Sequence, residues 1–171
     1  MKHKLLNFVV KNNYSYGLFS YFYFRKYKFK KIEPIQIDAR WGNLTANYRM
    51  NIPIKNIIAL MNSGSGYLPI PIAESPHYKM ISKYSETGEI KAKEYTEYLK
   101  TYNIENNGTT KFINLYESIK KDPNNVFICI KKEADSFITN KFKIIDGLHR
   151  ASIATTLNLN SVDCYVVEKI N

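Results

Sequence analysis

The stretch Ile144-Ile145-Asp146-Gly147-Leu148-His149-Arg150-Ala151 constrains the fold of this chain most. Two adjacent isoleucines suit a strand, Asp-Gly punctuates it, and the residues after Gly147 take up helical spacing at once. Glycine permits the tight turn and a close approach of backbone or ligand. A helix that starts there aims its free amides and the positive end of its dipole over the carboxyl end of the strand. His149 and Arg150 add donors at the same point, so the turn reads as an anion site suited to phosphate. Asp146, at the strand end, would hold a divalent metal or orient a hydroxyl. A purely architectural reading stands beside this one: Asp146 caps the helix and Arg150 pairs with an acid.

The other segments supply a layered domain around that turn. Ile35 and Ile37, then Leu44, Ala46 and Tyr48, alternate with polar residues as half-buried strands do, with Trp41-Gly42-Asn43 as the turn between them. Ile52 to Leu60 reads as a strand entering a short helix, and Asn62 to Gly66 as a loop. Pro69 to Ile72 is extended because each proline restricts itself and the residue before it. Ser75-Pro76 then opens a helix expected to run to Ile81, with Ser75 as cap and Pro76 at the first helical position. Ser85 to Gly88 reads as a surface turn. Lys91 to Tyr102 is helical, its Tyr95, Tyr98, Leu99 and Tyr102 forming either core or the wall of a ligand pocket. A further amphipathic helix spans Lys111 to Lys121. Strands are expected at 126–130, 142–145 and 162–167, with a helix from Leu148 to Leu157. Strands and helices mix without strict alternation, which predicts a compact α+β, or mixed α/β, domain.

Charge divides the chain unevenly. The net charge is +10, yet residues 1–31 hold eight basic residues and no acid, while the other 140 hold 17 basic and 15 acidic ones. The excess belongs to an N-terminal arm (1–31), followed by a nearly neutral domain (32–171). Nine aromatics between Tyr14 and Lys31 interleave with that charge. Such a segment suits a membrane surface or a partner protein, where rings sit at headgroup depth and lysines reach anionic groups. Stacking on nucleic acid is the less favoured partner, and packing on the core with solvated lysines is the plain alternative. Only four of the 25 basic residues are arginine, so each arginine carries more information than a lysine. Cys129 and Cys164 lie in apolar strand-like runs without metal-ligand spacing, and read as buried thiols of a reducing cytoplasm. The apolar run Leu5 to Val10 is too short for a secretory signal, and no stretch is long enough to span a bilayer.

The strand, the Asp-Gly-x-His-Arg turn and the alanine-containing helix resemble the signature turn of the ParB/sulfiredoxin superfamily, which cradles nucleotide phosphates. The resemblance covers roughly residues 52–171 and is sharp only at the turn. Sulfiredoxins place a catalytic cysteine where this chain has Leu148, so peroxiredoxin repair is disfavoured. Chromosome-partitioning ParB proteins, which use CTP, continue into a DNA-binding domain, and this sequence ends at Asn171. The nearest branch is that of the free-serine kinases, with an Asp-Gly-His-His-Arg turn and an upstream catalytic glutamate. Glu74 occupies the matching place after Ile70-Pro71-Ile72.

The resemblance implies a kinase that uses ATP or ADP, or alternatively CTP, with Mg²⁺, acting on a small hydroxyl compound or a sugar. Glu74 would be the general base, with Asp146 and His149 also catalytic and Asp146 the metal ligand. Gly147, Leu148, His149 and Arg150, with Ser75 and His77 directly after Glu74, would hold the nucleotide. The alternative is a ParB-like nucleotide- or nucleic-acid-binding module without phosphotransfer. A role in surface-polysaccharide synthesis, with a cytoplasmic protein peripheral to the inner membrane face, is compatible with the kinase reading.

Overall fold

A computed structural model describes residues 30–39, 42–103, 108–133, 136 and 139–169. The aromatic-basic arm therefore lies outside the described residues, apart from Lys30 and Lys31, and so does Trp41 of the expected turn. The strands are β1 (Lys30–Ala39), β2 (Gly42–Pro53), β3 (Ile57–Asn62), β4 (Tyr67–Pro71), β5 (Phe127–Lys131), β6 (Phe142–Asp146) and β7 (Ser161–Lys169). The helices are α1 (Pro76–Thr87), α2 (Lys93–Thr101), α3 (Thr109–Lys121) and α4 (Leu148–Thr156). The strands form one seven-stranded sheet in the order β1-β2-β7-β5-β6-β3-β4. Its β5–β7 and β3–β6 pairs are parallel and the remaining neighbours antiparallel. This is the α+β, or mixed α/β, class expected from strands and helices that mix without strict alternation.

Alternation decides which face each strand buries. Ile57, Ala59 and Met61 of β3, Ile128 and Ile130 of β5, and Phe142 and Ile144 of β6 point into the main core. The same core receives Met80 and Ile81 of α1, Tyr95 and Leu99 of α2, Phe112, Tyr116 and Ile119 of α3, and Ala151, Ile153 and Ala154 of α4. A smaller cluster gathers Leu44, Ala46, Cys129 and Val167, with Ile145 and Tyr165 packed against it. A register shift between Ala46 and Tyr48 divides β2 between the two: Tyr48, Met50 and Ile52 join the main core, Leu44 and Ala46 the smaller cluster. Both cysteines are buried and unpaired, as their apolar runs predicted.

Three expectations change. The strand expected around Ile35 and Ile37 starts earlier: β1 runs from Lys30 through Pro34, with its register shifted between Lys31 and Ile35, because an edge strand accommodates proline at an irregularity. The short helix expected near Ile57 is a single 3₁₀ turn at Ile54–Asn56, after which β3 takes the β-branched pair Ile57-Ile58 into the sheet. Helix α1 continues past Ile81 to Thr87, where Gly88 at φ 70° ends it and its N–H donates to the Tyr84 carbonyl. The supposed surface turn at Ser85–Gly88 is thus the last turn of that helix.

Two placements set up the site. Strand β6 lies inside the sheet, between β5 and β3, and delivers Asp146 at its carboxyl end. Strand β4 is the sheet edge beyond β3, with Pro69 and Pro71 opposite Leu60 and Ile58 of β3. Proline has no N–H to give a ladder, so edge positions are where a sheet tolerates it.

Candidate functional site

The β6–α4 junction is built by Gly147. Its φ of 94° is left-handed, which favours glycine, and a Cβ placed there would come within 3.3 Å of Ile128 Cα and 3.4 Å of the Phe127 carbonyl oxygen. The close approach that glycine permits is therefore to the backbone of β5, and glycine is required here by the fold itself. Helix α4 follows immediately, and its buried Ala151, Ile153 and Ala154 seat it in the core. No side chain caps its N-terminus. The expectation that Asp146 caps the helix is not met. The Asp146 carboxylate instead faces Arg150, one helical turn away, with 3.8 Å between Asp146 Oδ2 and an Arg150 Nη. Both side chains are about two-fifths exposed (38% and 43%), so this pairing is weak and open to competition from a ligand.

A cleft of about 470 Å³ opens over this junction. One wall is the β6 end and the first turn of α4, from Ile144 to Arg150. The opposite wall comes from helix α2, through Tyr95, Tyr98, Leu99 and Tyr102, and from the β3–β4 hairpin, through Leu60, Asn62 and Tyr67. The Asn62 N–H donates to the Tyr98 hydroxyl at 3.1 Å, which ties the hairpin to α2. The tyrosine spacing of α2 thus serves both purposes that the sequence left open. Tyr95 and Leu99 are core, while Tyr98 and Tyr102 continue the same stripe along the cleft.

His77 and His149 meet on the cleft wall, their ring centroids 4.9 Å apart in edge-to-face contact. His149 also meets Phe112 edge-on at 4.4 Å, and its Nε2 lies 2.8 Å from the Tyr95 hydroxyl. Burial lowers the His77 pKa to about 3, helped by the neighbouring His149. Burial lowers that of His149 to about 4; Asp146 opposes the shift and Arg150 adds to it. Both imidazoles are therefore neutral at pH 7, and the cleft's positive charge is Arg150 together with the α4 dipole. Among the described residues, His77 Nδ1 is a buried nitrogen without a hydrogen-bond partner, although His77 is only 5% exposed and lines the cleft. A buried polar atom in that state costs stability unless water or a ligand satisfies it.

The residues expected to act together are only partly brought together. Asp146, Gly147, Leu148, His149, Arg150 and His77 all line the cleft. Glu74 does not: it is exposed, in the 3₁₀ turn Ile72–Glu74 that precedes α1, outside the cleft lining. Ser75 is fully buried and both its bonds are committed. Its hydroxyl donates to the Ile72 carbonyl at 2.8 Å and accepts from the Tyr78 N–H at 3.1 Å. It is the helix cap the sequence predicted and has no hydroxyl left for a cofactor. Asn62 and Tyr67 join the cleft, and Tyr95 bonds His149, without a sequence signal that announces either. Helical spacing marks Tyr95 as inward-facing but not its partner, and nothing local marks Tyr67.

Of the four arginines, Arg49 is structural. It pairs with Asp163 across β2 and β7 and lies over the Phe127 ring, 5.2 Å from its centroid. No group of three or more histidine, cysteine, aspartate or glutamate side chains converges to hold a metal among the described residues. Asp146 alone suits Mg²⁺, a cation that is commonly held by one or two carboxylates with phosphate oxygens and waters completing its shell. No helix of the described residues is long and apolar enough to cross a membrane. Set against known proteins, the chain matches no family model, no curated protein and no solved structure.

Proposed function

We propose that the cleft binds a nucleotide through its phosphates, and that the chain is a nucleotide-dependent phosphotransferase acting on a small hydroxyl compound or a sugar. The observation that carries this reading is the uncapped N-terminus of α4 opening into a cleft beside Arg150 and the unpartnered His77 Nδ1. The amides of the first turn and the Arg150 fork supply donors to phosphate oxygens. The tyrosine wall supplies faces for a base or sugar ring. The strand–Asp-Gly–helix turn with β7 as closing strand supports placement in the ParB/sulfiredoxin-like group, near the free-serine-kinase branch.

In this reading Asp146 is the side chain that would hold Mg²⁺, which would supply neutralisation of charge on the transferred phosphoryl group. Arg150 gives up its weak pairing with Asp146 to bind phosphate. His149 donates to a phosphate oxygen as a neutral imidazole, and the buried wall of α2 and α3 excludes water from that side. Phosphoryl transfer depends more on positioning and charge stabilisation than on covalent help from the protein. The exposed Glu74 is therefore not required for the nucleotide to bind, and it acts as base only on an acceptor that reaches it from outside the cleft.

That position of Glu74 also favours a second reading, a ParB-like nucleotide- or nucleic-acid-binding module without phosphotransfer. Calorimetric titration with ATP, ADP and CTP, with and without Mg²⁺, tests the shared step. Phosphorus NMR with serine and simple sugars as acceptors then separates the two. Nucleotide binding with transfer, lost in Asp146→Asn, supports the kinase; binding without transfer to any acceptor supports the module. If no nucleotide binds, the kinase and the nucleotide-binding module both fall, and only a nucleic-acid-binding module is left. The localisation at a membrane face and the link to polysaccharide synthesis are part of the same proposal, and rest on the arm.

A further inference from the structure

The nucleotide reading leaves unexplained why a core tyrosine on a different helix should hydrogen-bond the histidine of the turn. Tyr95 is 2% exposed, and its hydroxyl has His149 Nε2, at 2.8 Å, as its hydrogen-bond partner. Two arrangements fit that distance. Either the phenol O–H donates to Nε2, or Nε2–H donates to the phenol oxygen. In the second, the phenol proton has no acceptor among the described residues, at the cost of an unmade hydrogen bond. In the first, both groups are satisfied. A neutral imidazole carries one N–H, and its position is set by what the other nitrogen accepts. The first arrangement therefore puts the proton on His149 Nδ1, which has no hydrogen-bond partner among the described residues, on a ring that lines the cleft.

We infer that Tyr95 is a positioning residue: its hydroxyl donates to His149 Nε2, fixes the imidazole as its Nδ1–H tautomer, and holds that N–H as a neutral donor to an anionic ligand in the cleft. The inference rests on the phosphate reading of the cleft for its ligand but not for the tautomer. The edge-to-face contacts of the His149 ring with Phe112 and His77 fix its plane, and the Tyr95 bond fixes its rotation about χ2. Tyr95 itself keeps its phenol proton at all ordinary pH, since burial pushes its pKa up to about 12. The donor presented to the ligand is consequently uncharged, and the ligand's negative charge is answered by Arg150 and the helix end.

Long-range ¹H–¹⁵N correlation spectra of the ¹⁵N-labelled full chain at pH 7 read the tautomer of each imidazole directly. The chain has three histidines, and the His149 signals are identified by their loss in His149→Gln. The expected result is a single Nδ1–H tautomer for His149. In Tyr95→Phe, which keeps the ring and its packing, that tautomer gives way to a mixture, and affinity for inorganic pyrophosphate falls about tenfold, the loss expected when a well-placed donor to a charged group is no longer held. An Nε2–H tautomer or a mixture in the unsubstituted chain overturns the inference, and that measurement stands even if the variant does not fold. An unchanged tautomer in folded Tyr95→Phe, or a changed tautomer with unchanged pyrophosphate affinity, overturns it too. A fixed Nδ1–H tautomer in a chain that binds no pyrophosphate bears out the Tyr95–His149 assignment and overturns the phosphate reading of the cleft instead.

Discussion

Acidification from pH 7 to pH 5 should remove a large part of the stability of this domain through His77 and His149. Both imidazoles are held neutral by burial, with pKa values near 3 and 4 in the folded chain. In the unfolded chain each titrates near its ordinary value of about 6.5. Between those values the unfolded state binds more protons than the folded one, so stability rises with pH across the window and falls as pH drops below about 6.5. From 6.5 to 5 is about 1.5 pH units, or about 2 kcal/mol for each histidine and about 4 kcal/mol for both. That is a large share of the roughly 5–15 kcal/mol by which ordinary domains are stable. Most exposed carboxylates titrate below pH 5 and contribute little in this range. Urea unfolding followed by circular dichroism at pH 7, 6 and 5 measures the effect. A His3→Gln background removes the third histidine from the proton balance, and His77→Gln should then halve the remaining pH dependence. A loss of less than about 1 kcal/mol between pH 7 and 5 would refute the burial argument, because two neutral buried imidazoles cannot avoid that linkage.

Three further outcomes follow from the site and its frame. Gly147→Ala should destabilise the fold by about 1–3 kcal/mol, from a left-handed backbone and a methyl pressed on Ile128, read as a lowered thermal midpoint. Ser75→Ala should cost about 1 kcal/mol by removing the cap of α1, with pyrophosphate affinity unchanged in calorimetry. Arg150→Gln should weaken pyrophosphate binding about tenfold or more while leaving stability nearly unchanged, since its pairing with Asp146 is exposed.

Much of this architecture can be read from the sequence because local signals and burial agree. Ser75-Pro76 marks a helix start by two independent mechanisms, capping and fixed φ, and the helix starts there. The runs 126–130, 142–145 and 162–167 have the length and branching of buried strands, and became β5, β6 and β7. Sequence and structure part where a local signal has two outcomes. Ile57-Ile58 follows a 3₁₀ turn that sequence does not distinguish from the first turn of a helix, and tertiary pairing with β6 decided for strand. Gly88 is the residue that ends α1, but a Ser-Glu-Thr-Gly string is equally a turn, which places the helix end six residues early, at Ile81.

The site divides the same way. Asp146 to Arg150 are contiguous, so one local conformation places them all, and the turn was legible. Glu74 and Ser75 were tied to that turn by resemblance, and their placement depends on how the 3₁₀ turn packs. Tyr95 lies 54 residues from His149, and no periodicity on one helix reports the partner it meets on another.

Strand β4 has a consequence for how copies of this chain meet in solution. An edge strand normally offers a row of outward N–H groups on which a second molecule can add its own strand. Pro69 and Pro71 occupy alternate positions of β4, so they face the same way along the ladder, and neither has a hydrogen to offer. Leu68 and Ile70 hold the opposite alternation, toward β3. The outer side therefore lacks those two donors and keeps only acceptors at the prolines, next to the exposed Tyr67 and Leu68. The mouth of the cleft lies beside that edge, at Tyr67. The two prolines thus disfavour the addition of a second strand at the edge beside that entrance.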